Sequence, residues 1–151
     1  AEAARVLAEH LGTDRAFFVV MDDERQTATV EREHRLGEVP SVVGAHAYAA
    51  FGGTLARLRA GERVVFCDNA ATPEIHADDL PAYRALALRA FLNTPLVRGG
   101  RLVGALCVVS AAPRGWTESD ARLVEETAER TWAAVERARA EAAGRASEEQ
   151  Y

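Results

Sequence analysis

The tetrapeptide Arg98-Gly99-Gly100-Arg101 separates two runs rich in strand-forming residues, 91–97 and 102–110. Adjacent glycines supply the positive φ angles of a two-residue turn, so these runs are expected to fold back as an antiparallel hairpin. A second hairpin is expected earlier. Phe17, Phe18, Val19 and Val20 form an apolar run too short for a helix, and Asp22-Asp23-Glu24 follows as the turn. Residues 27–34 return, with Glu31 and Glu33 alternating with Val30 as on an exposed face or a sheet edge. Tight hairpins imply antiparallel pairing throughout.

Helical spacing fills the gaps. Ala4, Leu7, Ala8 and Leu11 fall at i, i+3, i+4 and i+7, with Gly12 as the stop. A second helix is expected over 48–60, with Phe51, Leu55 and Leu58 on one face and Gly61 ending it. Gly52-Gly53 costs roughly 1 kcal/mol per residue relative to Ala, so its first turn is expected to be irregular. A short strand over 64–67 and a loop over 68–77 lead to a helix that Asp79 and Pro81 start, with Tyr83, Leu86, Ala87 and Ala90 on its apolar side. Thr117 and Asp120 have capping-box spacing before a helix expected to run from 121 to about 146. In that helix Val124, Ala128, Thr131, Val135, Ala138 and Ala142 step by heptad intervals. The globular core needs only its first half, so the rest is expected to project. The chain is thus α+β: an antiparallel sheet of five to six strands with helices on its faces and the terminal helices packed together.

Composition removes several chemistries. All 18 basic residues are Arg, so there is no Lys for a P-loop, a Schiff base or a kinase ATP site. A net charge of −5 with Arg scattered among acids argues against nucleic-acid binding. No apolar run approaches the ~20 residues of a membrane span, so no membrane contact and a cytoplasmic setting are expected. Cys67 and Cys107 lie outside any zinc-type spacing and read as buried thiols in a reducing compartment. His10, His34, His46 and His76 are dispersed, so no preformed metal site is expected.

The run Val64-Val65-Phe66-Cys67-Asp68, then Leu88 through Leu106 with Thr94-Pro95-Leu96, Gly99-Gly100 and Gly104-Ala105-Leu106, resembles the second half of a GAF domain. Pro113-Arg114-Gly115-Trp116-Thr117 and the helix 125–137 resemble GAF modules of bacterial sensor histidine kinases, and Ser147-Glu148-Glu149-Gln150-Tyr151 resembles the opening of a PAS domain. The resemblance implies a GAF sensory domain over 1–142 and a linker into a following PAS module over 143–151. It implies pocket-covering helices on one sheet face, the terminal helices on the other, and small-molecule sensing without enzymatic activity of this segment. A PAS or kinase module of the same chain would be the output.

Residues 78–90 contain no Cys, so covalent bilin attachment there is not expected; the ligand is unknown. The Lys-containing motif of cyclic-nucleotide-binding relatives is absent as well. Candidate ligand-binding residues are Phe51, Cys67, His76, Tyr83, Phe91 and Asn93. Asn93 stands out, because an amide in an apolar strand needs a partner or carries a desolvation cost of ~1–3 kcal/mol. Val124, Ala128, Thr131, Val135 and Ala138 are the candidate signalling-helix and homodimer residues. The alternatives are a ligand-free structural or dimerisation module and a GAF-type methionine sulfoxide reductase, which would need a reactive cysteine constellation.

Overall fold

The structure, a computed structural model, describes residues 2–71 and 77–149. The Gly-Gly hairpin forms as expected: β6 (Ala90–Arg98) and β7 (Arg101–Ser110) pair with Arg98 opposite Arg101, and Gly99 and Gly100 take φ of 58° and 76°. β7 also pairs with β1 (Arg15–Asp22), which places the hairpin in the middle of the sheet. The first hairpin returns in two pieces rather than one, β2 (Thr27–Val30) and β3 (Glu33–Arg35), both antiparallel to β1. Between Phe17↔Glu33 and Val20↔Thr29, three residues face two, so the break is a bulge that re-registers the strand.

β4 (Gly44–Ala47) pairs with β2, and β5 (Val64–Phe66) with β6. The strand order is β4-β2-β1-β7-β6-β5, with β3 also beside β1. Among the described residues the sheet therefore has seven strands in six positions, one more strand than the upper expectation. β4 was not expected, because Gly-Ala-His-Ala lacks the branched and aromatic residues of a strand. Ladder bonds to β2 supply what local propensity lacks.

Period-two alternation divides the core into two layers. Phe17, Val19, Phe91, Ala105 and Cys107 face one side, where they pack with α2 (Gly52–Arg59) and α3 (Leu80–Ala85). Ala16, Leu92, Leu96, Leu106 and Val108 face the other, against α1 (Glu2–Leu11) and α4 (Glu118–Glu149). A Cβ at Gly104 would lie 2.8 Å from the carbonyl oxygen of Val19, so only glycine lets β7 approach β1 this closely. The irregular start of the second helix is a 3₁₀ turn, Tyr48–Phe51. The capping box is made in both directions: Thr117 N–H donates to Asp120 Oδ2, and Asp120 N–H to Thr117 Oγ1, each at 3.0 Å.

Two expectations are corrected. The third helix stops at Ala85 instead of reaching Ala90, because Ala87 adopts φ of 53° and turns the chain into β6. Val124 and Ala128 are fully buried against the chain's own sheet and α1, so they are core residues and not part of a free seam. Thr131 and Val135 are half-buried, and Ala138 is exposed. The helix α4 continues unbroken across 142 and 143, so the expected linker begins as helix. Arg15 lies wholly inside, where its guanidinium donates to the carbonyls of Pro40, Leu86 and Ala87 and pairs with Asp14.

Candidate functional site

A cavity of about 80 Å³ lies between the sheet and α2. Phe17 and Val19 of β1, Leu55 of α2, Leu88, and the rings of Phe51 and Phe91 form its apolar wall. Its polar side chains are few: Asn93, His46, Thr54 and Cys107. Asn93 sits on β6 in register with Val64 and Cys107, and its Oδ1 is buried without a hydrogen-bond partner among the described residues. His46 reaches in from β4, with Nε2 2.6 Å from the Val42 carbonyl and its ring edge-on to Phe51 at 6.3 Å. Burial pushes the Cys107 thiol pKa well up, which holds it protonated and unreactive.

The structure brings Phe51, Phe91 and Asn93 together on the cavity wall. Tyr83 stands one layer behind. It packs 5.6 Å from Phe51, 5.1 Å from Phe66 and 5.6 Å from Phe91, and its hydroxyl bonds Thr54 Oγ1. Burial chiefly, with the nearby Asp79, pushes its pKa up. Cys67 is exposed at the end of β5, away from the cavity wall, which corrects its reading as a buried thiol and as a pocket residue. The strand ends at Phe66, and alternation then turns Cys67 outward. His76 lies outside the described residues.

His46 and Thr54 are cavity residues that sequence reasoning missed. The signal for His46 was the alternation of Gly44 and His46 against exposed Ala45 and Ala47, visible only once 44–47 is known to be a strand. Thr54 is held by Asp79, whose carboxylate accepts from Gly53 N–H at 3.1 Å, Thr54 N–H at 2.7 Å and Thr54 Oγ1 at 2.8 Å. Asp79 thus closes the N-terminal turn of α2 from the neighbouring helical segment, a long-range version of the capping role expected for a helix-start carboxylate.

Beside the cavity opens a cleft of about 190 Å³ that shares Met21 and Leu55 with it. Asp23 lies at its mouth, accepting the Tyr48 hydroxyl on Oδ1 at 2.8 Å and Arg101 Nη2 on Oδ2 at 3.1 Å. These bonds, that from Tyr48 foremost, hold the Asp23 pKa below the usual carboxylate value. Burial and the same bond raise Tyr48 to about 12. The Arg59 guanidinium lies over the Tyr48 ring, 5.2 Å from its centroid. A larger groove of about 890 Å³ runs between the β5–β6 edge and α4, but its rim carries exposed Glu62, Glu118, Glu125, Glu126 and Glu129. Among the described residues no three His, Cys, Asp or Glu side chains gather as a metal site, and no helix is long and apolar enough to cross a membrane.

One sheet face enclosing an apolar cavity under short helices, and the other carrying the paired terminal helices, define an α+β domain with a pocket on one side of its sheet. The chain belongs to the GAF domain family, whose model matches residues 1–136. Among solved structures it is similar to the blue-light absorbing form of the PixJ GAF domain of Thermosynechococcus elongatus, with a TM-score of 0.77 and 24% identity over 97% of this chain and 88% of that one. It is also similar to GAF3 of Slr1393 from Synechocystis sp. PCC6803 in its photoproduct state, with a TM-score of 0.75 and 19% identity over 93% of both chains. Free methionine-R-sulfoxide reductase from Neisseria meningitidis, in complex with its substrate, shares a TM-score of 0.63 and 23% identity over 85% of this chain and 71% of its own. At these identities the likeness establishes the fold. No curated protein matches the chain.

Proposed function

We propose that this GAF domain senses a small molecule in the cavity between the sheet and α2, and relays its presence through α4 to an output module of a cytoplasmic bacterial signalling protein. The observation that carries this reading is the unpartnered Asn93 Oδ1 inside an otherwise apolar cavity. An amide left unsatisfied there costs ~1–3 kcal/mol, which a ligand donor would recover. The cavity is about half the ~150 Å³ that admits benzene, so it suits a few heavy atoms and not a tetrapyrrole.

The relay has a short path. β6 turns Phe91 and Asn93 toward the cavity and Leu92 and Leu96 toward Ala121, Val124 and Ala128. A shift of one strand is therefore felt on both faces, and differential ligand affinity for two packings of α4 would move the equilibrium between them. The resemblance of 113–137 to sensor histidine kinases supports a kinase as the parent, with the GAF domain over 1–142 and a PAS module following 143–151.

Asn93→Leu separates the roles of this residue. It removes an unsatisfied buried amide, so folding stability should rise by about 1 kcal/mol in chemical denaturation. The same variant should lose the thermal shift that the wild-type protein shows with the active member of a panel of nucleotides, haem, bilins and metabolites. A panel without any wild-type shift, together with no co-purified mass in native mass spectrometry, would favour the ligand-free structural module.

Homodimerisation belongs to the projecting half of α4, where Val135 is half-buried and Ala138 exposed. An Ala-rich seam buries little area, so the isolated domain should show a weak monomer–dimer equilibrium in sedimentation. Val135→Glu should push that equilibrium to monomer, and an unchanged dimer would remove Val135 from the interface.

A further inference from the structure

We propose that the groove between the β5–β6 edge and α4 docks an amphipathic helix of a partner protein, one whose apolar stripe is flanked by Lys or Arg. The groove lies on the opposite sheet face from the cavity, and the inference does not rest on the sensing reading.

A sheet face must be covered, and on this side the cover is incomplete. α1 packs chiefly on β1 and β3, and α4 on β6 and β7. Neither reaches far over β5. Val64 and Phe66 turn toward the cavity side, so alternation turns Val65 to this one, where it is 42% exposed. Leu92, Thr94 and Leu96 continue the floor along β6, and half-buried Pro95 and Trp116 line it as well. A helix is about 10 Å across, so a groove of about 890 Å³ takes roughly two turns of one.

Thr94 marks a missing partner independently of shape. It is 5% exposed, it lines the groove, and its Oγ1 has no hydrogen-bond partner among the described residues. It stands between Leu92 and Leu96, both of which belong to the α4 side, so its hydroxyl is on the groove face. An incoming polar group would satisfy it.

The rim sets the charge of the occupant. Glu118, Glu125 and Glu129 fall at i, i+7 and i+11 along α4, on one side of that helix, and Glu126 stands beside them. Arg63 is shared between Glu118 at 3.2 Å and Glu125 at 3.6 Å, Arg98 pairs with Glu129, and Arg57 lies 3.6 Å from Glu62. Glu126 has no ion-pair partner among the described residues. Five carboxylates thus share three guanidiniums, and a helix laid beside α4 would bring Lys or Arg to the remainder, as flanking positions do in a coiled coil. The chain's own helices do not supply that charge. Arg5 of α1 is already paired with Glu2 and Glu9, and residues 136–149 hold four Glu against three Arg. The occupant is therefore a different protein.

Amide NMR with a helical peptide of about 14 residues tests this, the peptide having Leu at i, i+3 and i+7, a central Gln, and Lys on both flanks. It should perturb Val65, Thr94 and Trp116, while the same peptide with Glu in place of Lys should not bind. Val65→Gln and Glu126→Arg, both at exposed positions, should each weaken the Lys peptide about fivefold to tenfold. Thr94→Val, which removes the hydroxyl at nearly constant shape, should weaken it about threefold. Absence of binding, equal binding of both peptides, shifts centred elsewhere on the domain, or binding indifferent to Val65→Gln or Thr94→Val would overturn the docking groove. A dimer that forms in sedimentation without peptide and is abolished by Val65→Gln would give the groove to a second copy of the chain and overturn the partner assignment.

Discussion

Arg15→Ala is expected to lower folding stability by about 3–5 kcal/mol, the cost of removing one member of a buried charged network. The side chain has no exposed surface, yet it touches three separate chain segments. Nε meets Asp14 Oδ1 at 2.9 Å, Nη1 donates to the Pro40 carbonyl at 3.0 Å and to that of Leu86, and Nη2 donates to Ala87 at 2.7 Å. Truncation leaves these carbonyls without donors in a site that water reaches poorly. The Leu86 and Ala87 carbonyls belong to the turn that ends α3 and brings Leu88 to the cavity wall, so the damage spreads to the cavity. Arg15→Lys should recover only part of the loss, because an ammonium cannot reproduce the planar fork that meets three carbonyls. Urea unfolding with an unchanged m-value checks this, and a loss below about 1 kcal/mol for Arg15→Ala would show that the carbonyls find other donors.

Asp79→Ala should cost about 2–4 kcal/mol, and Asp79→Asn less. The carboxylate serves two backbone N–H groups and one hydroxyl at the start of α2 and is itself 1% exposed. Removing it unties Thr54, whose hydroxyl also meets Tyr83, the residue that backs Phe51 and Phe91. Hydrogen exchange should therefore accelerate at Gly53 and Thr54 and through α2, while the β6–β7 amides keep their protection. Equal acceleration in β6 and β7 would mean that Asp79 supports the whole domain and not the helix over the cavity.

These two residues show where sequence reasoning stops. Arg15 follows Asp14 at the start of an apolar run, and nothing local distinguishes it from the surface arginines. Its carbonyl partners lie 25 to 72 residues away. Asp79 reads as a helix-start carboxylate and stands just before α3, but its carboxylate makes no cap bond there and instead serves α2, which begins 27 residues earlier at Gly52. Cys67 and Val124 failed for a related reason. An apolar or thiol side chain signals burial, but the number of residues a strand keeps, and the surface a helix meets first, are decided by neighbours distant in sequence.

The candidate site was legible in part. Asn93 could be singled out because a lone amide in an apolar strand is anomalous wherever that strand lies. Phe51 and Phe91 followed from the strand and helix periods, whereas His46 did not, since its strand exists only through pairing with β2.

By itself the sequence determined the two hairpins, the helix starts and, α3 excepted, their stops, the α+β class and the family resemblance, because turn chemistry, capping and hydrophobic period act over a few residues. The tertiary structure alone decided the strand order, the burial of Arg15, the reach of Asp79 to α2, and the meeting of Asn93 with His46 around one cavity. Those outcomes depend on buried polar groups finding partners across the fold. Their energies are set by desolvation, which no local window of sequence contains.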